Sequence, residues 1–270
     1  MKTIKKLFIV TLSVLFAFPF AACGKNDKKL IVGATASPHA EILEFIKSDF
    51  EAKGYKLEIK QFSKYETINP ATDDGSLDAN FFQHKPFLDN YNSTENGNLV
   101  SVGAVHFEPL GAYSVTGETT DSLKNSSAKV VLVPNDKTNE ARALLLLEAN
   151  GLITLKSGAG LNATKADIVS NPYSLEVKEL AAELITNSLK DCALAVINGN
   201  YALSAGLSLS DAVAVESSAS EAAKTYANIV ACKRENANDP KILALIECLH
   251  TDKVADFIAN KYKGGVVAVF

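Results

Sequence analysis

Val130-Val131-Leu132-Val133-Pro134-Asn135-Asp136, followed by Lys137-Thr138-Asn139-Glu140-Ala141-Arg142 and the run Ala143-Leu144-Leu145-Leu146-Leu147, is the stretch that decides the fold. Four apolar residues in a row suit a strand buried on both faces, as in a parallel sheet covered by helices. Pro134-Asn135-Asp136 breaks the strand, a leucine-rich helix follows, and Gly151 stops it. The same alternation runs outward in both directions. Towards the N-terminus, Leu30-Ile31-Val32 reads as a short strand. Ser37-Pro38 reads as an N-cap and first helical position, Ile42, Leu43, Ile46 and Phe50 recur at helical spacing, and Gly54 ends that helix. Leu57 and Ile59 alternate with charge as a strand would. Towards the C-terminus, Ala193–Ile197 repeats the buried-strand pattern and Ile229–Ala231 is another short strand. Asp239-Pro240 caps a helix and Thr251 opens a last one. Strands alternating with helices imply an α/β fold with mostly parallel sheets.

The chain is 270 residues long, 47% hydrophobic and 21% charged, which excludes a wholly disordered or collagen-like protein. A formal net charge of −4 gives no reason to expect a polyanionic partner, so nucleic acid is disfavoured. Some 240 residues of α/β pattern is large for one core, so two lobes are expected. The chain would cross between them near His106–Tyr113 and again within the small, polar stretch Val215–Tyr226.

The first residues read differently. Lys2, Lys5 and Lys6 precede an apolar run from Leu7 to Phe20, and Ala21-Ala22-Cys23 closes it. A basic start, a short apolar stretch and small residues before a break make a secretory signal, and the run is short for a membrane span. Ala-Ala-Cys at its end resembles a bacterial lipobox, although Phe20 stands where an aliphatic residue is usual. The expectation is a signal peptide over 1–22, lipidation at Cys23, a polar tether over 23–29, and an extracytoplasmic body held to the membrane by acyl chains. Loss of the three lysines takes the formal charge from −4 to −7. Cys192, Cys232 and Cys248 remain. Cys192 and Cys232 lie in apolar runs that could meet, but buried free thiols are the simpler expectation.

Enzyme signatures are missing: no G-x-G-x-x-G after a strand, no P-loop, no G-x-S-x-G and no H-E-x-x-H. His39, His84, His106 and His250 do not pair at ligand spacing, so no metal site and no cofactor is expected. Polar residues at the C-terminal ends of buried strands are more informative, because that edge of an open α/β sheet is where ligands bind. Asn198 follows Ala193–Ile197; Asn135-Asp136 and Thr138-Asn139 follow Val130–Val133. Arg142, near the start of the next helix, is either a two-pronged carboxylate receptor or a solvated helix residue. In Asp78-Ala79-Asn80-Phe81-Phe82-Gln83-His84, the two phenylalanines either wall an apolar slot beside the imidazole or fill the core.

Taken together, several segments resemble the NlpA family of bacterial lipoproteins, methionine-binding components of ABC importers. They are Phe62-Ser63-Lys64-Tyr65 leading to Asn69, Gly75–Leu88, Glu108–Ser114, Val133–Leu147, Ala195–Ala202, Tyr226–Val230 and the ending Gly264–Val267. The resemblance implies a two-lobed, periplasmic-binding-protein-like (type II) fold, one lobe being 30–108 plus 224–270 and the other 109–223. It implies no bond chemistry, but capture of L-methionine between the lobes and delivery to an ABC permease with its ATPase. Tyr65, Phe82 and His84 would line the side-chain pocket. Arg142 would bind the α-carboxylate, and Asn198 and Asn228 the rest of the head group, with Asn200 a weaker candidate. Ile68 and Lys137 replace prolines common in the family, which puts loop shape rather than ligand contacts in doubt. The residues leave open a methionyl dipeptide or another apolar amino acid as ligand, and an adhesion or antigen role for a surface lipoprotein.

Overall fold

A computed structural model describes residues 28–217 and 224–270. The signal, the lipidation at Cys23, most of the tether and part of the second expected crossing lie outside the described residues. Two sheets organise the chain. The first contains β1 (Lys29–Ala34), β2 (Lys56–Gln61), β3 (Ala79–His84) and β4 (Leu99–Phe107). The second is built from β5 (Gly111–Tyr113) and β6 (Val130–Pro134), then, after the small pair β7 (Thr154–Leu155) and β8 (Ile168–Ser170), from β9 (Glu176–Leu180), β10 (Leu194–Ile197) and β11 (Ala214–Val215). The chain then returns to the first sheet as β12 (Asn228–Lys233) and β13 (Val267–Ala268). The orders are β13-β4-β12-β3-β1-β2 and β11-β5-β10-β6-β9.

Each lobe therefore has a parallel centre, β2-β1-β3 in one and β10-β6-β9 in the other, extended by antiparallel strands. Two antiparallel strands, β12 and β5, come directly after the crossings; β13 also runs antiparallel, to β4. β12 opposes both β3 and β4, and β5 opposes both β10 and β11. A strand that enters from the other lobe meets the sheet from the opposite end, which sets its direction.

Helices α1 (Glu41–Ala52), α2 (Ile68–Asp73), α3 (Lys85–Glu95), α4 (Lys137–Ala149), α5 (Ala182–Ile185) and α6 (Gly199–Ser204) flank these sheets, with two C-terminal helices, Pro240–Leu249 and Asp252–Tyr262. Their ends follow local chemistry. The Asp136 carboxylate accepts from the Asn139 backbone N–H at the start of α4, and Asp239 and Thr251 cap the last two helices in the same way. The expected cap at Ser37 is not made. Its backbone is extended, the Ser37–Pro38 bond is cis, its hydroxyl turns to Glu41, and regular helix begins only at Glu41.

One apolar core lies in each lobe: Leu30, Val32, Ile42, Phe50, Phe81 and Leu245 belong to the first; Val131, Val133, Leu144, Leu147, Leu194 and Val196 to the second. A third cluster joins the lobes. Tyr65, Ile68, Leu77 and Phe82 from the first sheet's side pack with Tyr113, Leu132, Ile185, Ile197 and Tyr201. Cys192, Cys232 and Cys248 are buried free thiols. Among the described residues no helix is long and apolar enough to cross a membrane.

Leu144 is fully buried in the second core. Leu144→Ala is expected to lower the unfolding free energy by about 2–5 kcal/mol, because transfer and cavity contributions add. Urea denaturation of the variant checks this.

Candidate functional site

The C-terminal ends of β3, β6 and β10 and the N-terminal end of the oppositely running β12 meet between the lobes. They carry His84, Asp136, Asn198 and Asn228 to one place. A cleft there is lined by Tyr65, Phe82, Gln83, His84, Phe87, Glu108, Arg142, Asn198, Gly199, Asn200 and Asn228. All six residues singled out from the sequence are thus brought together, as is the weaker candidate Asn200.

β3 is buried on both faces, so its alternating side chains part company. Phe81 enters the first lobe's core, whereas Phe82 joins the interlobe cluster. Phe81 thus fills the core, while Phe82 stands at the cleft. Asn69, Thr72, Asn80 and Gln83 form a closed network of buried hydrogen bonds of 2.6–3.1 Å that holds β3 against α2. Tyr65, Phe82, Phe87 and Tyr201 make an aromatic wall, with centroids 4.9–5.8 Å apart. The Tyr65 hydroxyl donates to Asn200 Oδ1, and the Tyr201 hydroxyl donates across the lobes to the Ser63 carbonyl at 2.9 Å.

Arg142 is buried, 4% exposed. Its Nε donates to Glu216 Oε1 and Oε2 at 3.0 and 2.9 Å, and its Nη2 donates to Glu216 and, at 2.6 Å, to the Glu108 carbonyl. The guanidinium also lies over the rings of Tyr226 and Phe107, 4.6 and 5.3 Å from their centroids. This excludes the solvated-helix reading. It also reveals Glu216, which the sequence reading passed over. The available signal was a lone carboxylate closing the apolar run Ala212–Val215.

Glu108 was passed over too, although a carboxylate before Pro109 in an apolar run is a visible anomaly. It is buried and accepts from His106 Nε2 at 2.7 Å, with His39 Nε2 at 3.3 Å. Burial pushes its carboxyl above the usual range, against the pull of His39 and Arg142. Gly199 makes this approach possible, since a Cβ there would lie 2.8 Å from Glu108 Cβ. Histidines that are not at ligand spacing in the sequence are brought together by the fold. Strand β4 and the turn before α1 converge in space, so His39 and His106 pack with ring centroids 4.9 Å apart, and with Glu108 they form a group of potential metal ligands.

The amides are wired in two chains. Asp136 accepts from the Asn139 side-chain nitrogen at 2.9 and 3.0 Å, and Asn139 Oδ1 faces His84 Nε2 at 3.1 Å and Asn198 Nδ2 at 2.9 Å. His39 Nδ1 meets the Thr35 hydroxyl at 2.7 Å, and its Nε2 meets Asn228 Oδ1 at 3.0 Å. Four buried side-chain atoms have no protein partner among the described residues: His106 Nδ1, Asn198 Oδ1, Asn200 Nδ2 and Tyr226 Oη. Such atoms are rare in folded proteins. Two of these four belong to residues lining the cleft.

The sequence profile of the family described as NlpA lipoprotein matches residues 30–270. The chain is 40% identical over 276 residues to "Methionine-binding lipoprotein MetQ" of Bacillus subtilis, covering 98% of this chain and 99% of that one. It is 38% identical over 268 residues to "Membrane lipoprotein TpN32" of Treponema pallidum, covering 99% and 98%. Among solved structures, a lipoprotein of Ruminococcus gnavus superimposes with a TM-score of 0.87 at 47% identity, covering 90% of this chain and all of the other. A nutrient-binding protein of Burkholderia cenocepacia, bound to methionine, gives 0.84 at 38% identity, covering 89% and 100%.

Burial lowers the pKa of His39 to about 4 and those of His84 and His106 to about 3, with Arg142 pushing His84 further down. In the unfolded chain these imidazoles take up protons near pH 6.5. Their stabilisation is therefore complete above that pH and is lost as pH falls from about 6.5 towards 4. Glu108, Asp136 and Glu140, whose carboxyls burial pushes up, act in the opposite direction. Near pH 5 the three imidazoles alone give a slope of up to about 4 kcal/mol per pH unit, and the carboxyls reduce it. Urea unfolding between pH 7 and pH 4.5 measures it.

Proposed function

The chain belongs to the NlpA lipoprotein family, and from that premise we propose that it is the methionine-capturing component of an ABC importer. The supporting observation is the cleft itself. A buried guanidinium, two amides with unpaired buried polar atoms and an aromatic wall converge between two lobes, which matches a zwitterion carrying an apolar side chain. A relative named for methionine binding and a methionine-bound neighbour favour that amino acid.

In this reading Arg142 binds the α-carboxylate. Glu216 and the Glu108 carbonyl occupy Nε and Nη2, so Nη1 meets the ligand. Asn198 and Asn228 hydrogen-bond the rest of the head group. Tyr65, Phe82 and His84, joined by Phe87, surround the side chain, where a thioether packs against aromatic rings at about 0.3–1.5 kcal/mol per contact. No bond is made or broken. The working step is closure of one lobe, 30–108 plus 224–270, against the other, 109–223. A permease and a cytoplasmic ATPase are the partners, and a lipid on Cys23 holds the protein at the outer face of the membrane.

Calorimetric titration with L-methionine, other amino acids and methionyl dipeptides tests the ligand. One-to-one binding of L-methionine is expected. Arg142→Ala should weaken it by about 2–5 kcal/mol, a loss of at least thirtyfold, because the carboxylate is left in the cleft without its cation. Binding unchanged in the variant would overturn the carboxylate assignment. Cys23→Ser should move the protein from the membrane fraction to the soluble fraction of cells, and metabolic labelling with a fatty acid should disappear with it.

A further inference from the structure

Each amide in the cleft can face the ligand as donor or as acceptor, and the two faces recognise opposite charges. Which face is presented is decided outside the cleft. Asp136 is acceptor-only when ionised, so the Asn139 side-chain nitrogen must point to it, as the two contacts of 2.9 and 3.0 Å require. Asn139 Oδ1 must then point the other way, towards His84 and Asn198. His84 agrees: its Nδ1 accepts from the Phe87 backbone N–H at 3.2 Å, so the proton is on Nε2, which donates to Asn139 Oδ1 at 3.1 Å. Asn198 has only one compatible orientation, with Nδ2 donating to the same oxygen at 2.9 Å. Its own Oδ1 is left buried, without a protein partner, on a residue that lines the cleft.

Asn228 is set the opposite way. Its Oδ1 is engaged by His39 Nε2 at 3.0 Å, a nitrogen that also lies 3.3 Å from Glu108 Oε1. Its amide nitrogen is the free end. The cleft thus has a donor side, Arg142 with Asn228 Nδ2, and an acceptor side, Asn198 Oδ1.

We propose that Asp136 is the specificity-positioning residue for the ligand's ammonium group: by orienting Asn139 it locks Asn198 Oδ1 towards the cleft as the acceptor that distinguishes an α-amino acid from the corresponding carboxylic acid. The inference rests on the amino-acid reading above and adds the residue that sets the site's polarity. Asp136 need not touch the ligand. Its effect runs through two amides, Asn139 and Asn198.

Asp136→Asn makes the sign testable. An asparagine there still caps α4 through its oxygen, but it turns an amide nitrogen towards Asn139. Asn139 is then frustrated: meeting that nitrogen with its oxygen would set its own nitrogen against the His84 Nε2–H, so no single orientation satisfies all its neighbours. Asn198 loses its fixed partner, and its Oδ1 is no longer held as the acceptor for the ammonium. The full-length protein, purified in detergent and stripped of carried-over ligand by unfolding and refolding, is titrated with L-methionine and with its des-amino analogue, methylsulfanylbutanoate. The wild type is expected to prefer L-methionine strongly. In D136N the affinity for L-methionine should fall by about ten- to a hundredfold, the scale of a lost hydrogen bond to a charged group, while that for the analogue changes by less than about threefold. D136S, which retains a capping oxygen too short to orient Asn139, should lose the same preference. It serves as the independent test if D136N unfolds in a thermal scan.

Equal losses for both ligands would show a merely structural role and overturn the proposal, as would D136N and D136S variants that keep the wild-type preference. A wild type that binds L-methionine while the variants fail this split overturns the inference alone. A wild type indifferent to L-methionine overturns the amino-acid reading and the inference with it.

Discussion

The buried guanidinium of Arg142 is the constraint around which the rest of the cleft is arranged. An isolated charge at that depth is strongly unfavourable, and it persists only where partners surround it. Glu216 and the Glu108 carbonyl supply them, and both belong to segments that pass between the lobes. Leu110 N–H donates to Glu216 Oε2 at 3.1 Å, and Glu216 N–H donates to the Leu110 carbonyl at 2.9 Å. One ion pair therefore ties helix α4 to both crossings. In the carboxylate reading proposed above, any shift of the arginine on meeting a ligand would be passed directly to these segments. Fixing two crossings and one helix to a common point also explains why Gly199 has no room for a side chain: α6 must pack on Glu108, beside that point.

Strand direction does the remaining positioning. β3, β6 and β10 end at the cleft, and each delivers a polar residue at or just beyond its last position: His84, Asn135-Asp136 and Asn198. β12 runs the other way, so it contributes its first residue, Asn228. Mixed sheets thus place four polar groups on one edge without any loop having to be long.

Much of this was legible in the sequence because it depends on local pattern. Val130–Val133 and Leu194–Ile197 announce buried strands, and polar residues after them mark a ligand edge. The cap at Asp136 follows from its position between a strand and a leucine-rich helix. Phe81 and Phe82 were ambiguous only because the two faces of β3 meet different cores, which is a fact of tertiary packing. Glu108, Glu216 and the His39–His106 contact were not legible, because their partners are distant in the chain. His39 and His106 are 67 positions apart and are joined only when the turn before α1 packs on β4. Ser37 illustrates the opposite failure. A good local cap signal was overridden because Thr35 and His39 bond each other, and that chain holds Asn228.

In the clamp proposed above, the same orphaned atoms bear on how the cleft would close. With the lobes together, Asn198 Oδ1 and Asn200 Nδ2 are buried without protein partners, each unfavourable by about 1–3 kcal/mol. Contacts across the interlobe aromatic cluster, and the Tyr201 and Tyr65 hydrogen bonds, work in the other direction. A ligand can shift this balance only by binding the closed form better than the open one. Satisfying both atoms would supply roughly 2–6 kcal/mol of such preference, and moving a two-state equilibrium from 1:99 to 99:1 takes about 5.5 kcal/mol. The two unpaired amide atoms are therefore of the right size to make closure conditional on a head group that offers both a donor and an acceptor. A purely apolar ligand would fill the aromatic wall and leave them unpaired.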